Sequence, residues 1–239
     1  CNDWMTGLIP PAARRMGIPC LFTVHNIHTQ KATLDAIEDR GIDAAPFWQN
    51  LYFERPPYNY EESRSTNLVD QLASGIFAAH FINTVSPTFL REVVDGQHSF
   101  VPANIRQEMA NKYHSGCATG ILNSPDEDCN PEIDQYLEIK YNADTHVHAK
   151  QVNKIAFQAR TGLKVDQNAP LFFWPSRLDP VQKGCSLLSD IMYNVVHKYW
   201  DAGLQIAVVT NGSFQKVFRD IVAFHDFYER VTVCDFDEG

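Results

Sequence analysis

Apolar residues along this chain fall into short runs, each followed at once by polar residues and then by a stretch of helical spacing. Runs at residues 18–24, 81–85, 119–122, 171–174, 204–210 and 230–234 have the length and β-branched or aromatic content of strands. Between them the 3.6 period returns. Residues 8–15 read as a helix with Pro10 and Pro11 in its first turn and Gly17 at its end. Further helices are expected at 34–40, from Thr66 through Leu68, Leu72, Ile76 and Phe77, at 105–113, at 146–160 and at 214–224. Ser86-Pro87 reads as a cap and first residue for a helix carrying Phe89, Leu90 and Val93. Leu187, Leu188, Ile191, Met192 and Val195 mark one face of another. Two stretches fit less cleanly: the aromatic-rich 47–54 reads as irregular or as an edge strand, and Glu61, Glu62 and Arg64 as a solvated turn.

From residue 171 the order strand, helix, strand, helix, strand predicts a parallel sheet with right-handed crossovers, so the fold class is α/β. Residues 123–145, with Pro125, Asp126, Glu127, Asp128, Asn130 and Pro131, are acidic and rich in turn formers. They mark a boundary between domains at 1–122 and 123–239.

Composition narrows the function classes. At 239 residues, 44% hydrophobic and 21% charged, the chain is an ordinary globular sequence with room for two modest cores. Net charge is −9 with the cations dispersed, which argues against nucleic acid and anionic membranes as partners. No apolar run is long enough to span a bilayer. The six cysteines are scattered, without a Cys-x-x-Cys pair, so buried free thiols in a reducing cytoplasm are expected. The chain starts at Cys1 rather than Met and ends just after an expected strand, and so reads as an interior piece of a longer polypeptide.

The candidate chemistry lies where strands end. Val24-His25-Asn26, Val85-Ser86-Pro87, Leu122-Asn123-Ser124-Pro125-Asp126 and Pro175-Ser176-Arg177 each put polar groups at a strand's carboxyl end, the edge where open α/β sheets bind ligands. Pro175 and Pro180 bracket a stiff turn, and Lys183-Gly184 stands where a helix begins, a position that favours anions. Each group also has a plain reading: solvated charges for Arg177 and Lys183, a structural histidine for His25, a helix cap for Ser86, a turn residue for Asn123, and an exposed carboxylate for Asp126. Thr210-Asn211-Gly212-Ser213 reads as a plain turn after a strand or as a loop held near a ligand. His146 and His148 near Asp144 do not share a helix face, so no metal site is expected. Dinucleotide, phosphate-loop and serine-elbow fingerprints do not occur.

Five segments fit one family in order: DWMTGLIP, FTVHNIHTQ, INTVSPTFLREV, GILNSPDEDCNPEID and SRLDPVQKG. On these the chain resembles the glycogen and starch synthases, retaining glucosyltransferases of the GT-B type, with two Rossmann-like domains whose parallel sheets face an inter-domain cleft. The resemblance implies that 1–122 is the later part of the acceptor-side domain, and 123–239 the hinge and first half of the donor-side domain. It implies glucose transfer from ADP-glucose or UDP-glucose to an α-1,4-glucan, in the cytoplasm, with no cofactor and no metal. By the same resemblance Arg177 and Lys183 hold the sugar-nucleotide diphosphate, His25 with Asn26 meets the transferred glucose, Asn123 and Asp126 line that pocket, and Phe236 lies against the base. Closure of the domains would bring His25 and Asn123 to Arg177 and Lys183. The chain departs from the pattern at Asn2, where a histidine is usual, and at Ser124-Pro125, where a glycine is usual. The family's lysine-glycine-glycine loop and its glutamate pair do not occur in these residues, so the 239 residues alone are expected to be inactive.

Overall fold

In the computed structural model residues 1–179 and 183–236 are described; Pro180, Val181 and Gln182 of the expected turn, and 237–239, lie outside them. The chain divides into two compact units, Cys1–Ser124 and Pro125–Gly239.

In the first unit the helices are α1 (Ile9–Arg15), α2 (Leu34–Glu38), α3 (Tyr60–Thr66), α4 (Gln71–Ala78), α5 (Pro87–Val94) and α6 (Ala103–His114). The strands β1 (Leu21–Val24), β4 (Phe81–Thr84) and β5 (Ala118–Gly120) form a parallel sheet in the order β1-β4-β5, while β2 (Lys31–Ala32) and β3 (Val69–Asp70) form a separate antiparallel ribbon. Thr23 stands opposite Asn83, and its hydroxyl donates to the Asn83 Oδ1 at 2.8 Å. Phe22, Val24, Leu72, Ile76, Ile82, Leu90, Ile105 and Met109 make the core, with α4 almost wholly buried against the sheet. A helix so buried must satisfy its end carbonyls. The Arg14 guanidinium donates to the Ala78 oxygen and the Lys112 ammonium to the Ala79 oxygen, two cations at the negative end of the helix. Burial pushes the Lys112 ammonium below its ordinary pKa.

Two expectations change here, and for 47–54 the irregular alternative holds. Residues 60–66 form a helix rather than a solvated turn: the Asn59 Oδ1 accepts from the Glu62 N–H, and Glu61 and Glu62 place negative charge in the first turn. The helix expected from Thr66 begins only at Gln71, because Val69 and Asp70 pair with β2 and Asp70 then caps the Ala73 N–H. Within 47–54 lie a 3₁₀ turn at Trp48–Asn50 and a single bridge from Phe53 to Val69.

The second unit holds α7 (His146–Thr161), β6 (Leu171–Pro175), α8 (Cys185–Lys198), β7 (Gln205–Val209), α9 (Gln215–His225) and β8 (Val231–Cys234). Its sheet is parallel in the order β6-β7-β8, as the alternation of strand and helix predicts. Met192, Val196, Ile206, Val208, Phe218 and Val222 form its core. The buried Gln158 amide donates to the Gln205 Oε1 at 2.7 Å and to the Asp166 oxygen, tying α7 to the start of β7.

The expected burial of β6 is overturned. Phe172 is 65% and Phe173 54% exposed, because β6 forms an edge of this sheet, with β7 its one strand partner among the described residues. Pro175, which lacks an N–H, is tolerated in such a strand. The cysteines differ from expectation too: all six are unpaired, but only Cys185 is buried and Cys129 is exposed. Burial pushes the Cys185 thiol up.

Candidate functional site

In the first unit, β1, β4 and β5 run parallel, so His25, Ser86 and the segment leading to Asn123 all follow the carboxyl edge of one sheet. The loop after β1 is held by two buried carboxylates. The Asp3 Oδ1 accepts from the His25 N–H at 2.7 Å and the Asn26 N–H at 3.4 Å, while its Oδ2 accepts from the Asn26 side-chain amide at 3.2 Å. Four residues on, Thr29 donates to the Asp70 Oδ1 at 2.7 Å, and Asn104 donates to the other Asp70 oxygen. Asp3 adopts a φ of 52°, a region that Asp tolerates better than most residues, and its own N–H donates to the Thr23 oxygen. The exposed His25 ring therefore stands on a fixed backbone, with Nε2 3.1 Å from the Asn2 Oδ1. Asp3, which lies within DWMTGLIP, is the residue that fixes this loop, and sequence alone did not single it out. Its signal, a carboxylate beside Trp4 in the first segment of the motif series, was present.

Gly7 of that segment has a steric reason. A Cβ there would lie 2.0 Å from the Gln71 carbonyl oxygen, so only glycine lets the turn before α1 rest on the start of α4. Ser86 caps α5, its hydroxyl accepting from the Phe89 N–H at 3.1 Å. Asn123 and Asp126 are exposed, and the Asp126 carbonyl accepts from the Cys129 N–H of a 3₁₀ turn.

In the second unit, a cavity of about 300 Å³ opens at the carboxyl end of the sheet, lined by Pro175, Ser176, Arg177, Thr210, Asn211 and Phe236. It is built from the ends of all three strands. The Thr210 hydroxyl donates to the Ser176 oxygen and the Ser176 N–H to the Val209 oxygen, joining the segments after β7 and β6. The Phe236 N–H, after β8, donates to the Thr210 oxygen at 3.2 Å. The structure thus brings Arg177 and Phe236 to one cavity, together with Thr210 and Asn211 from the segment that sequence alone left as turn or ligand loop. Lys183 lies elsewhere: it lines an apolar groove of about 430 Å³ between β6 and α8, with Phe172, Trp174, Leu187 and Ile191. It directly precedes Gly184, whose φ of 71° starts α8 in a conformation that a side chain resists.

Among the described residues no three His, Cys, Asp or Glu side chains are grouped to hold a metal ion, and the His146 ring bonds to the Ala143 oxygen. No described helix is long and apolar enough to cross a membrane.

The model of the starch synthase catalytic domain family matches residues 1–105. Granule-bound starch synthase 1 of Solanum tuberosum, a chloroplastic/amyloplastic protein by its name, is 32% identical over 227 residues, covering 91% of this chain. The glycogen synthase of Yersinia pestis (strain Pestoides F) is 29% identical over 229 residues, or 94% of the chain. Residues 1–105 thus match the starch synthase catalytic domain, and most of the chain is similar to glycogen and starch synthases. It spans 35% and 44% of the length of these two relatives. The solved catalytic domain of starch synthase IV from Arabidopsis thaliana, bound to ADP and acarbose, covers 100% of this chain and 48% of its own at a TM-score of 0.73 and 23% identity. That likeness shows the fold: α/β with parallel sheets, of the GT-B type. The chain therefore carries two units with parallel sheets, each with polar groups at the carboxyl ends of its strands.

Proposed function

We propose that this chain is the part of a retaining glucosyltransferase that holds the nucleotide diphosphate of ADP-glucose or UDP-glucose and the glucose it transfers to an α-1,4-glucan. The observation that carries the reading is the cavity at the carboxyl ends of β6, β7 and β8, where a guanidinium and an exposed aromatic ring share one opening. Breaking the anomeric C–O bond builds negative charge on the departing diphosphate and positive charge on the sugar. A fixed guanidinium at the leaving group stabilises that charge without a metal. In this reading Lys183, which lines the apolar groove beside α8, turns to join Arg177 on the diphosphate. The His25 ring, on a backbone fixed through Asp3, in the same reading meets glucose hydroxyls, and Asn26, Asn123 and Asp126 serve the same sugar. Residues 1–122 then serve the acceptor side and 123–239 the donor side, with no cofactor needed. The compartment is the cytoplasm, in keeping with six unpaired cysteines.

The reading is tested by offering ADP-glucose and UDP-glucose, each with and without glycogen, to the 239 residues and to a longer polypeptide that adds the family's glutamate pair. Nucleotide diphosphate release that depends on glycogen, in the longer polypeptide alone, supports it. Release that depends on another acceptor or another nucleotide sugar assigns the site to a different glycosyltransferase of the same fold. Glycogen binding without nucleotide binding assigns a non-catalytic glucan-binding role.

A further inference from the structure

Phe236 follows the end of β8, where a ring 53% exposed is free to turn away from the cavity. Its backbone does not share that freedom. The Asn211 Oδ1 accepts from the Phe236 N–H at 3.0 Å, and the Asn211 Nδ2 donates to the Phe236 oxygen at 3.4 Å. One side-chain amide thus meets both polar groups of one residue, as a neighbouring strand would. The Thr210 oxygen shares the same N–H at 3.2 Å. Asn211 can reach because Gly212 follows it at a φ of 130°, which turns the chain away directly after β7. Around it, the Ser176 and Thr210 hydroxyl protons are both directed to backbone oxygens. What the cavity offers a flat heterocycle is therefore the aromatic ring of Phe236, and what it offers a phosphate is Arg177.

We infer that Asn211 is a positioning residue that holds Phe236 as the platform for the base of the bound nucleotide. The inference rests on the nucleotide-diphosphate reading above and adds which group sets the base subsite. A base stacked on an aromatic ring gains on the order of 1–3 kcal/mol, and the gain is larger when the backbone that carries the ring is placed at the cavity before the ligand arrives. Asn211 supplies the holding without touching the ligand.

The test is calorimetric titration of the 239-residue chain with ADP and, separately, with inorganic pyrophosphate, which has the charge but no base. Asn211→Ala is expected to weaken ADP about tenfold and pyrophosphate less than twofold. Phe236→Leu is expected to reproduce that pattern, and the double variant to be no worse than either single one, because the two residues act as one unit. Asn211→Asp keeps the acceptor for the Phe236 N–H and loses the donor. Read by the ratio of the two affinities, which added charge does not move, it should fall between wild type and Asn211→Ala. Unchanged ADP affinity in Asn211→Ala, or equal loss for both ligands, overturns the role of Asn211 while leaving the nucleotide site in place. If the unaltered chain binds neither ligand, the nucleotide reading falls and this inference with it. Should Asn211→Ala fail to fold, the ratio in Asn211→Asp decides.

Discussion

Asp3 accepts three hydrogen bonds from the His25–Asn26 turn while lying almost out of reach of solvent, so its removal orphans two backbone N–H groups beside the carboxyl edge of the sheet. Asp3→Ala should lower stability by about 2 kcal/mol in urea titration, the usual scale for hydrogen bonds to a charged group. Asp3→Asn, which keeps one acceptor, should lose less. A second residue-scale test concerns Tyr60, whose hydroxyl donates to the Glu38 Oε1 while the Arg64 Nε meets the Glu38 Oε2 at 2.8 Å. Bonding to Glu38 pushes the phenol from about 10 up to about 12, and the Glu38 carboxyl, held by Tyr60 and then by Arg64, falls below its ordinary value. The raised phenol stabilises the fold fully below pH 10 and loses that contribution as pH climbs toward 12. The lowered carboxyl contributes fully above about pH 4.5 and loses its share as pH falls through its depressed value. An ultraviolet titration should therefore show Tyr60 ionising late, alongside Tyr52, whose phenol burial also raises, and Tyr60→Phe should remove the Tyr60 share of that late phase. At this scale, sequence showed Arg177 because a cation straight after a strand stands out. It did not show the role of Asn211, whose partner lies 25 residues away and is met through its backbone.

Elements were legible where one local signal sufficed and lost where pairing decided. Ser86-Pro87 announced α5, and Ser86→Ala should cost about 1 kcal/mol through the lost cap at the Phe89 N–H, measured by thermal or urea unfolding. The segment 60–66 hid its helix because charges crowd its surface, yet those same charges stabilise the first turn, and Asn59 supplies the cap. β3 hid because two residues paired to β2 leave no periodicity to read. β6 shows the limit most clearly: an aromatic run was read as a buried strand, and pattern alone does not say which strand lies at an edge. Its exposure has a measurable consequence. Phe172→Ala should cost under about 1 kcal/mol, because most of the ring is already in water. Phe218→Ala, at a fully buried position of the same unit, should cost about 3–5 kcal/mol. Equal losses at the two positions would mean that β6 is covered in solution.

For the molecule as a whole, five short segments in a fixed order reached further than any single motif. Each alone had a plain structural explanation, and several hold: Ser86 is a cap, and Gly7 makes room for a carbonyl. The segments nevertheless flank an ordered loop held by Asp3 and Asp70 after β1, and a cavity built from the ends of β6, β7 and β8. Order could not show that Arg177 and Lys183 line different cavities, because that depends on how α8 packs beside β6. The central claim is that the cavity holding Arg177 receives a nucleotide diphosphate, and ADP titrated into the 239-residue chain and into Arg177→Ala tests it most directly. The account predicts saturable binding that weakens at least tenfold in the variant, about 1.4 kcal/mol; ADP affinity that is unmeasurable in the unaltered chain, or equal in the two proteins, would contradict it.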